Sequence, residues 1–217
     1  MPIPGDSQGG IAMGRVWSII IAGVGGQGIV TTARILAESA LASGYSVKAT
    51  DIVGGAQRGG AVLSHVRFGN LVHSPIVPDG LADVVIGIEP LEALRSSIQY
   101  LRQDGTVVFN EEPVYPLTVL LKQQKYPPLE EIRSALLTIT KNVFTLKASE
   151  LARSAGSRLA AGSVLLGFMA AVSGIPIPKH NFHAAMEEVF TERVARVNIK
   201  AFELGFSKGL EAVNRLG

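Results

Sequence analysis

The sequence predicts an α/β fold in which a parallel-rich central sheet carries helices on both faces, followed by a helical C-terminal part. Continuous apolar runs bounded by glycine recur through the first half, as strands covered on both faces require. Segments of helical periodicity separate most of these runs, and that alternation builds parallel sheets. Beyond residue 146 only helical patterns remain.

Each element follows from its own pattern. "RVWSIIIAG" at 15–23 is an isoleucine-rich first strand ending in glycine. "GQGIVTTARILAESALASG" repeats apolar residues at Ile29, Ala33, Leu36, Ala37, Ala40 and Leu41, and Gly44 stands where a C-terminal cap belongs. "YSVKATDI" is the second strand. In "AVLSHVRF" Val62, Ser64, Val66 and Phe68 alternate with Ala61, Leu63, His65 and Arg67, so one face of the third strand mixes polar and apolar groups. "ADVVIGIE" at 82–89 is a buried strand, "PLEALRSSIQYLRQDG" a helix opened by proline and closed by glycine, and "TVVFN" a further strand. Prolines then separate a short helix, a helix over about 128–138 and a strand at 142–146. The pattern from Asn181 onward is helical.

Totals bound the class. At 217 residues, 47% apolar and 18% charged, the chain is long enough to bury roughly 70% of its unfolded surface, so one domain over 15–217 is expected, with a short flexible tail over 1–14. The absence of cysteine excludes disulfides, thiolate nucleophiles and an iron–sulfur cluster held by this chain's own thiolates. The start lacks the order of a secretory signal, and the apolar run at 160–178 is broken by glycine and serine before two prolines end it, so a cytoplasmic protein with no membrane span is expected. A net charge of +2, with no basic block, argues against nucleic acid as a partner.

Chemistry concentrates in two glycine-rich stretches. "GVGGQG", Gly23–Gly28, turns a strand into a helix with G-x-G-x-x-G spacing, and Asp51 follows at the end of the second strand. Free N–H groups at a helix start suit a phosphate, and an acid about 20 residues on suits a ribose, so a Rossmann-like N-terminal half binding NAD(P) is one reading. A close strand-to-helix turn, or a surface that receives another chain, is the other. Gln27 belongs more naturally to the second, because a backbone cradle needs no side-chain amide. In "GGAQRGG" glycines flank Gln57 and Arg58, leaving a guanidinium able to fork onto a carboxylate or phosphate; the plainer alternative is an arginine solvated in a turn. Arg58 and His65 are the catalytic candidates, although a lone strand histidine is more often a hydrogen-bonded core residue. Glu89 and Asn110 end strands, where open α/β sheets place ligand or interface groups and where helix caps are equally at home. His180 and His183 lack a third ligand nearby in sequence, so no metal site is expected.

Taken together, "GVGGQGIVTTARIL", "GGAQRGGAVLSHVRFG", "ADVVIGIEPLEALR" with "GTVVFN", and the later "VLLG" and "NIKAFELGF" resemble the gamma domain of the 2-oxoacid:ferredoxin oxidoreductases, above all the beta subunits of the indolepyruvate enzymes. The resemblance covers nearly everything after residue 15. It implies a three-layer α/β/α sandwich and a subunit that works with a large catalytic (alpha) subunit bearing thiamine diphosphate, magnesium and iron–sulfur clusters. It also implies oxidative decarboxylation of an aryl pyruvate to an acyl-CoA, with CoA as co-substrate and ferredoxin as electron acceptor. Gly23, Gly25, Gly26, Gln27 and Gly28 match the first motif, and Gln57, Arg58, Gly59, Gly60, Ser64, His65 and Arg67 the second. The resemblance turns them toward the large subunit's active site, with Arg58 a candidate for the oxoacid carboxylate or a CoA phosphate. One departure is that many relatives carry asparagine just before "VLLG", where this chain has Ala161 and Gly162. A free NAD(P)-dependent oxidoreductase and a non-catalytic scaffold subunit are the alternatives.

Overall fold

The computed structural model describes residues 14–54, 60–115 and 117–216. Its sheet has six strands: β1 (Val16–Val24), β2 (Ser46–Val53), β3 (Ala61–Gly69), β4 (Ala82–Gly87), β5 (Leu101–Asn110) and β6 (Asn142–Leu146), in the order β2-β3-β1-β4-β5-β6. β1, β4, β5 and β6 run parallel, and β3 runs antiparallel to both of its neighbours. Ile19, Ile20 and Ile21 in β1 are 0% exposed, because this strand is paired on both sides and covered on both faces.

The direction of β3 has a simple cause. Residues 54–60 alone separate it from β2, fewer than the dozen or so that a parallel crossover needs, so the chain reverses. What the local pattern leaves open is the position of β3, which lies between β1 and β2.

Two helices cover one face: α2 (Pro90–Tyr100) and, after the short α3 (Leu117–Leu120), α4 (Leu129–Ile139). They bury Ile20, Val85, Val107 and Phe109 with Ala93, Ile132 and Leu136. The opposite face receives α1 (Ile29–Ala42), α5 (Ala148–Ala155), α6 (Ala161–Val172), α7 (Lys179–Val189) and α8 (Glu192–Leu216), which enclose Ile19, Ile21, Val66 and Phe68. The three layers expected are therefore present. Among the described residues no helix is long and apolar enough to cross a membrane.

Two boundaries differ from expectation. The helix opened by Pro90 stops at Tyr100, not at Gly105, because Leu101 turns extended (φ −69°, ψ 131°) and pairs with Ala82 in β4. Gly105 serves a close fold within β5: a Cβ there would stand 2.7 Å from Leu101 Cδ1. The C-terminal helical pattern is split in two at Phe190 and Thr191.

α6 and α8 approach so closely that side chains are excluded from the crossing. A Cβ on Gly167 would meet the Phe202 carbonyl at 2.0 Å, and one on Gly205 the Val164 carbonyl at 1.9 Å. Gly162 does the same work against α1, where an added Cβ would stand 2.0 Å from Thr32 Oγ1. The glycine in place of a larger residue before "VLLG" thus has a packing reason. At the far end of the sheet Asp83, 7% exposed, accepts from the Ser18 N–H (2.8 Å) and Arg15 (3.1 Å) and forms an ion pair with Arg102 (3.2 Å), and the Arg15 guanidinium lies 3.8 Å from the Trp17 ring centroid.

Gly205→Ala is expected to lower unfolding free energy by at least about 1–3 kcal/mol, since backbone on a second helix must move. Exposed Ser207→Ala should leave it unchanged, and urea titration of both variants measures the difference.

Candidate functional site

The parallel strands deliver their C-terminal ends to one edge of the sheet, where open α/β folds hold ligands. Here β1 ends in the glycine loop. Gly26 and Gly28 take positive φ (95° and 81°), which admits the turn, and Gly28 is the N-cap of α1. Among the described residues no side chain caps that helix and no acid stands in its first turn, so they leave the leading N–H groups and positive dipole end unneutralised.

Gln27 turns inward. Its Oε1 accepts from the Val24 N–H at 2.7 Å, and its Nε2 donates to the Ile88 carbonyl at 3.4 Å, tying β1's end to β4's. Gly23 makes room, since a Cβ there would come 2.8 Å from Gln27 Oε1. The Gly25 N–H donates to the Gly60 carbonyl at 3.0 Å, and the Gly54 N–H to the Ala61 carbonyl at 3.1 Å. These bonds hold both ends of the second motif beside the first. Gln57, Arg58 and Gly59 themselves lie outside the described residues.

Glu89 and Asn110 reach the same edge and are fully engaged there. Glu89, 2% exposed, caps α2 by accepting from the Glu92 N–H (2.9 Å), and it also accepts from the Val114 N–H (3.4 Å) and the Tyr126 hydroxyl. Burial and the adjacent Glu89 carboxylate push the Tyr126 phenol well above its ordinary range, which keeps it a donor. Asn110, 1% exposed, donates to Ser149 Oγ (3.1 Å) and accepts from the Ser149 N–H (3.3 Å), seating α5 against β5.

The remaining residues of the second motif run away from this edge. Ser64 donates to Asp51 at 2.5 Å across β3 and β2. Asp51 therefore stands two strand spacings from β1, about 10 Å, because β3 intervenes. His65 is 0% exposed; its Nδ1 accepts from the Val77 N–H at 3.1 Å and its ring meets Tyr100 at 5.1 Å, nearly perpendicular. Its Nε2, the protonated nitrogen in this arrangement, has no hydrogen-bond partner among the described residues. Arg67 donates to Ser18 Oγ (3.2 Å) and to the carbonyls of Ser74 (3.1 Å) and Ile76 (3.2 Å). Since Ser18 precedes Gly23 by five residues, Arg67 anchors the β3–β4 connection about 17 Å from the loop. His183 pairs with Glu203 at 2.8 Å, on a helix face remote in sequence from both motifs.

Two hollows touch the loop, and a third adjoins one of them at Asn110 and Ser149. The largest, about 610 Å³, lies between the start of α1, the turn after Gly156 and the start of α8. It presents Thr31, Ser157 and Arg193 beside apolar Ile35, Phe190 and Val197. A narrow cleft of about 60 Å³ passes Gln27, Asn110 and Arg158, and a third of about 250 Å³ is rimmed by Lys147, Arg153 and Glu112. Arg158 and Leu159 come from a single 3-10 turn, Arg158–Ala160, and Leu159 is 76% exposed. Sequence inspection passed over this turn, although Gly156 with Ser157, a helix stop followed by an N-cap, marks it. An uncapped helix start ringed by Arg158 and Arg193 suits an anionic group, and the large hollow suits an apolar one.

Residues 18–208 match the family model described as pyruvate ferredoxin/flavodoxin oxidoreductase. The chain is 37% identical over 193 residues to the indolepyruvate oxidoreductase subunit IorB of Archaeoglobus fulgidus, covering 89% of this chain and 95% of that one. It is similar in fold to a keto/oxoacid ferredoxin oxidoreductase gamma subunit from Geobacter sulfurreducens (TM-score 0.66, 23% identity, 90% and 99% of the two chains). It is likewise similar to 2-oxoglutarate:ferredoxin oxidoreductase from Magnetococcus marinus with 2-oxoglutarate, coenzyme A and succinyl-CoA bound (TM-score 0.65, 19% identity, 89% of this chain and 31% of that one).

Gln27→Ala should cost about 1–3 kcal/mol, because the Val24 N–H loses its acceptor, and chemical denaturation reads that loss. Burial holds the His65 imidazole below its ordinary value of about 6.5. The unfolded chain then binds the extra proton first, so stability is full above pH 6.5 and declines as pH falls through it. Denaturation midpoints between pH 7.5 and 5.5 should show this decline, and His65→Leu should reduce the slope while lowering the midpoint throughout.

Proposed function

The chain belongs to the pyruvate ferredoxin/flavodoxin oxidoreductase family, and from that premise we propose that it is the small subunit of a 2-oxoacid:ferredoxin oxidoreductase, working with a large catalytic subunit. The observation that carries this reading is the 37% identity to indolepyruvate oxidoreductase subunits over nearly their whole length. The same likeness makes indolepyruvate, or another aryl pyruvate, the proposed substrate. Its oxidative decarboxylation yields carbon dioxide and an acyl-CoA, and the electron pair passes to ferredoxin. Thiamine diphosphate with magnesium, bound on the large subunit, supplies the centre that stabilises the carbanion left by decarboxylation. The iron–sulfur clusters are assigned to partner polypeptides, since this chain has no cysteine to ligate them.

This chain's own part is to present one sheet edge to the large subunit. The Gly25–Gly60 bond draws the two glycine motifs together there, and the uncapped start of α1 offers N–H groups to an anion. Arg58, within the second motif, is proposed to fork onto the oxoacid carboxylate or a CoA phosphate. A nicotinamide role for the loop gains no support from the geometry. A dinucleotide site needs the ribose acid on the strand next to β1, and Asp51 is a strand further away and bonded to Ser64.

Coexpressed with the large subunit, Arg58→Ala should assemble normally while raising the Michaelis constant for the oxoacid or for CoA at least tenfold. Unchanged assembly, Michaelis constants and turnover would remove Arg58 from the site. A calorimetric titration of the isolated chain with NADH or NADPH is expected to show no saturable heat. Saturable binding would restore the dinucleotide reading.

A further inference from the structure

One edge of the sheet lies open between two helices, and we propose that this slot accepts an extended, acidic segment of a partner protein as a seventh strand. β6 is the outermost strand on this side. A hollow of about 360 Å³ touches Val143, Phe144, Thr145 and Leu146 in succession. Consecutive residues of a strand point to opposite faces, so a hollow that reaches all four runs along the strand's edge and not over one face.

The backbone there is available for pairing. The Leu146 carbonyl accepts from the Glu111 N–H at 3.1 Å on the β5 side. Alternation then turns the N–H and C=O groups of Val143 and Thr145 outward, where no backbone partner meets them among the described residues. Arg133 of α4 stands on one wall and Lys208, Ala212 and Arg215 of α8 on the other, with Phe168 beneath. A strand entering between these walls would be covered on both faces, as β1 is. The β2 edge differs, because α1 backs only one of its faces.

Charge selects the occupant. Arg133, Lys208 and Arg215 outnumber Glu211, the one acid lining the hollow, which Lys208 engages at 2.8 Å. Among the described residues Arg133 has one ion-pair partner, Glu130, at 4.0 Å, and that carboxylate is 82% exposed. Arg215 shares Glu211 with Lys208, so three cations set against one acid leave an excess of positive charge on both walls, which suits carboxylates on alternate sides of an incoming strand. The five residues of β6 span about 17 Å, enough to register one short segment.

A synthetic octapeptide alternating valine with glutamate, and a counterpart with lysine in place of glutamate, provide the test with the full-length chain. Under NMR-detected hydrogen exchange, the acidic peptide should slow the Val143 and Thr145 amides at least tenfold, and the basic one should not. The double variant Arg133→Glu with Arg215→Glu should weaken acidic-peptide binding at least tenfold and flatten its salt dependence, with the remaining amide spectrum unchanged. Protection elsewhere, equal response to both peptides or no response overturns the proposal. Protection of the same amides by concentration-dependent self-association, without peptide, overturns it in favour of a second copy of this chain.

Discussion

The organisation of the molecule depends on how β1 is allowed to end. A strand paired on both sides and covered on both faces has nowhere to send its last backbone groups, and an unpaired buried N–H costs about 1–3 kcal/mol. Gln27 resolves this by folding its amide back onto Val24 while reaching the Ile88 carbonyl. The neighbouring bonds from Ile88 N–H to the Ala22 carbonyl (2.8 Å) and from Gly25 N–H to the Gly60 carbonyl complete the join. The end of one strand is thereby coupled to β4 on one side and to the base of the 54–60 connection on the other. The glycines of this loop divide two tasks: Gly23 leaves the space that the Gln27 amide fills, and Gly26 and Gly28 supply the positive φ that the turn needs.

The same economy appears where polar groups meet the core. Asp83, Glu89 and Asn110 are almost fully buried, and each satisfies backbone N–H groups or neighbouring side chains that the end of a sheet or the start of a helix leaves open. Asp83 closes the N-terminal end of the parallel strands. Glu89 and Asn110 close the opposite end by seating α2 and α5. With these carboxylates and amides committed to structure, the polar groups left at this edge among the described residues include the α1 amides, Arg158 and Arg193.

Much of this was legible from the residues themselves. Ile19 to Ile21 in one unbroken run announce a doubly covered strand, Gly44 stops α1 at φ 84°, and the 142–146 strand lies where its apolar run stands. The C-terminal stop of α2 was not legible, because Leu101–Gly105 has helical composition and is drawn into the sheet only by pairing with Ala82. Nor was the fate of "SHVR". The alternation correctly put His65 and Arg67 on one face, yet a period of two says nothing about which way along the sheet that face travels. It travels away from the glycine loop, so His65 holds Val77 and Arg67 holds Ser74 and Ile76.

By itself the sequence determined most of the element types and the joint presence of two glycine motifs, because these follow from periodicity and from residues with special backbone freedom. Only the tertiary structure decided the strand order, and with it the meaning of Asp51. Local rules specify how a strand is made but not which neighbour it takes, and inserting β3 between β1 and β2 moves that carboxylate a full strand spacing further from the loop. Packing likewise decided the roles of Gly162, Gly167 and Gly205, whose missing side chains matter only because another helix arrives at that point.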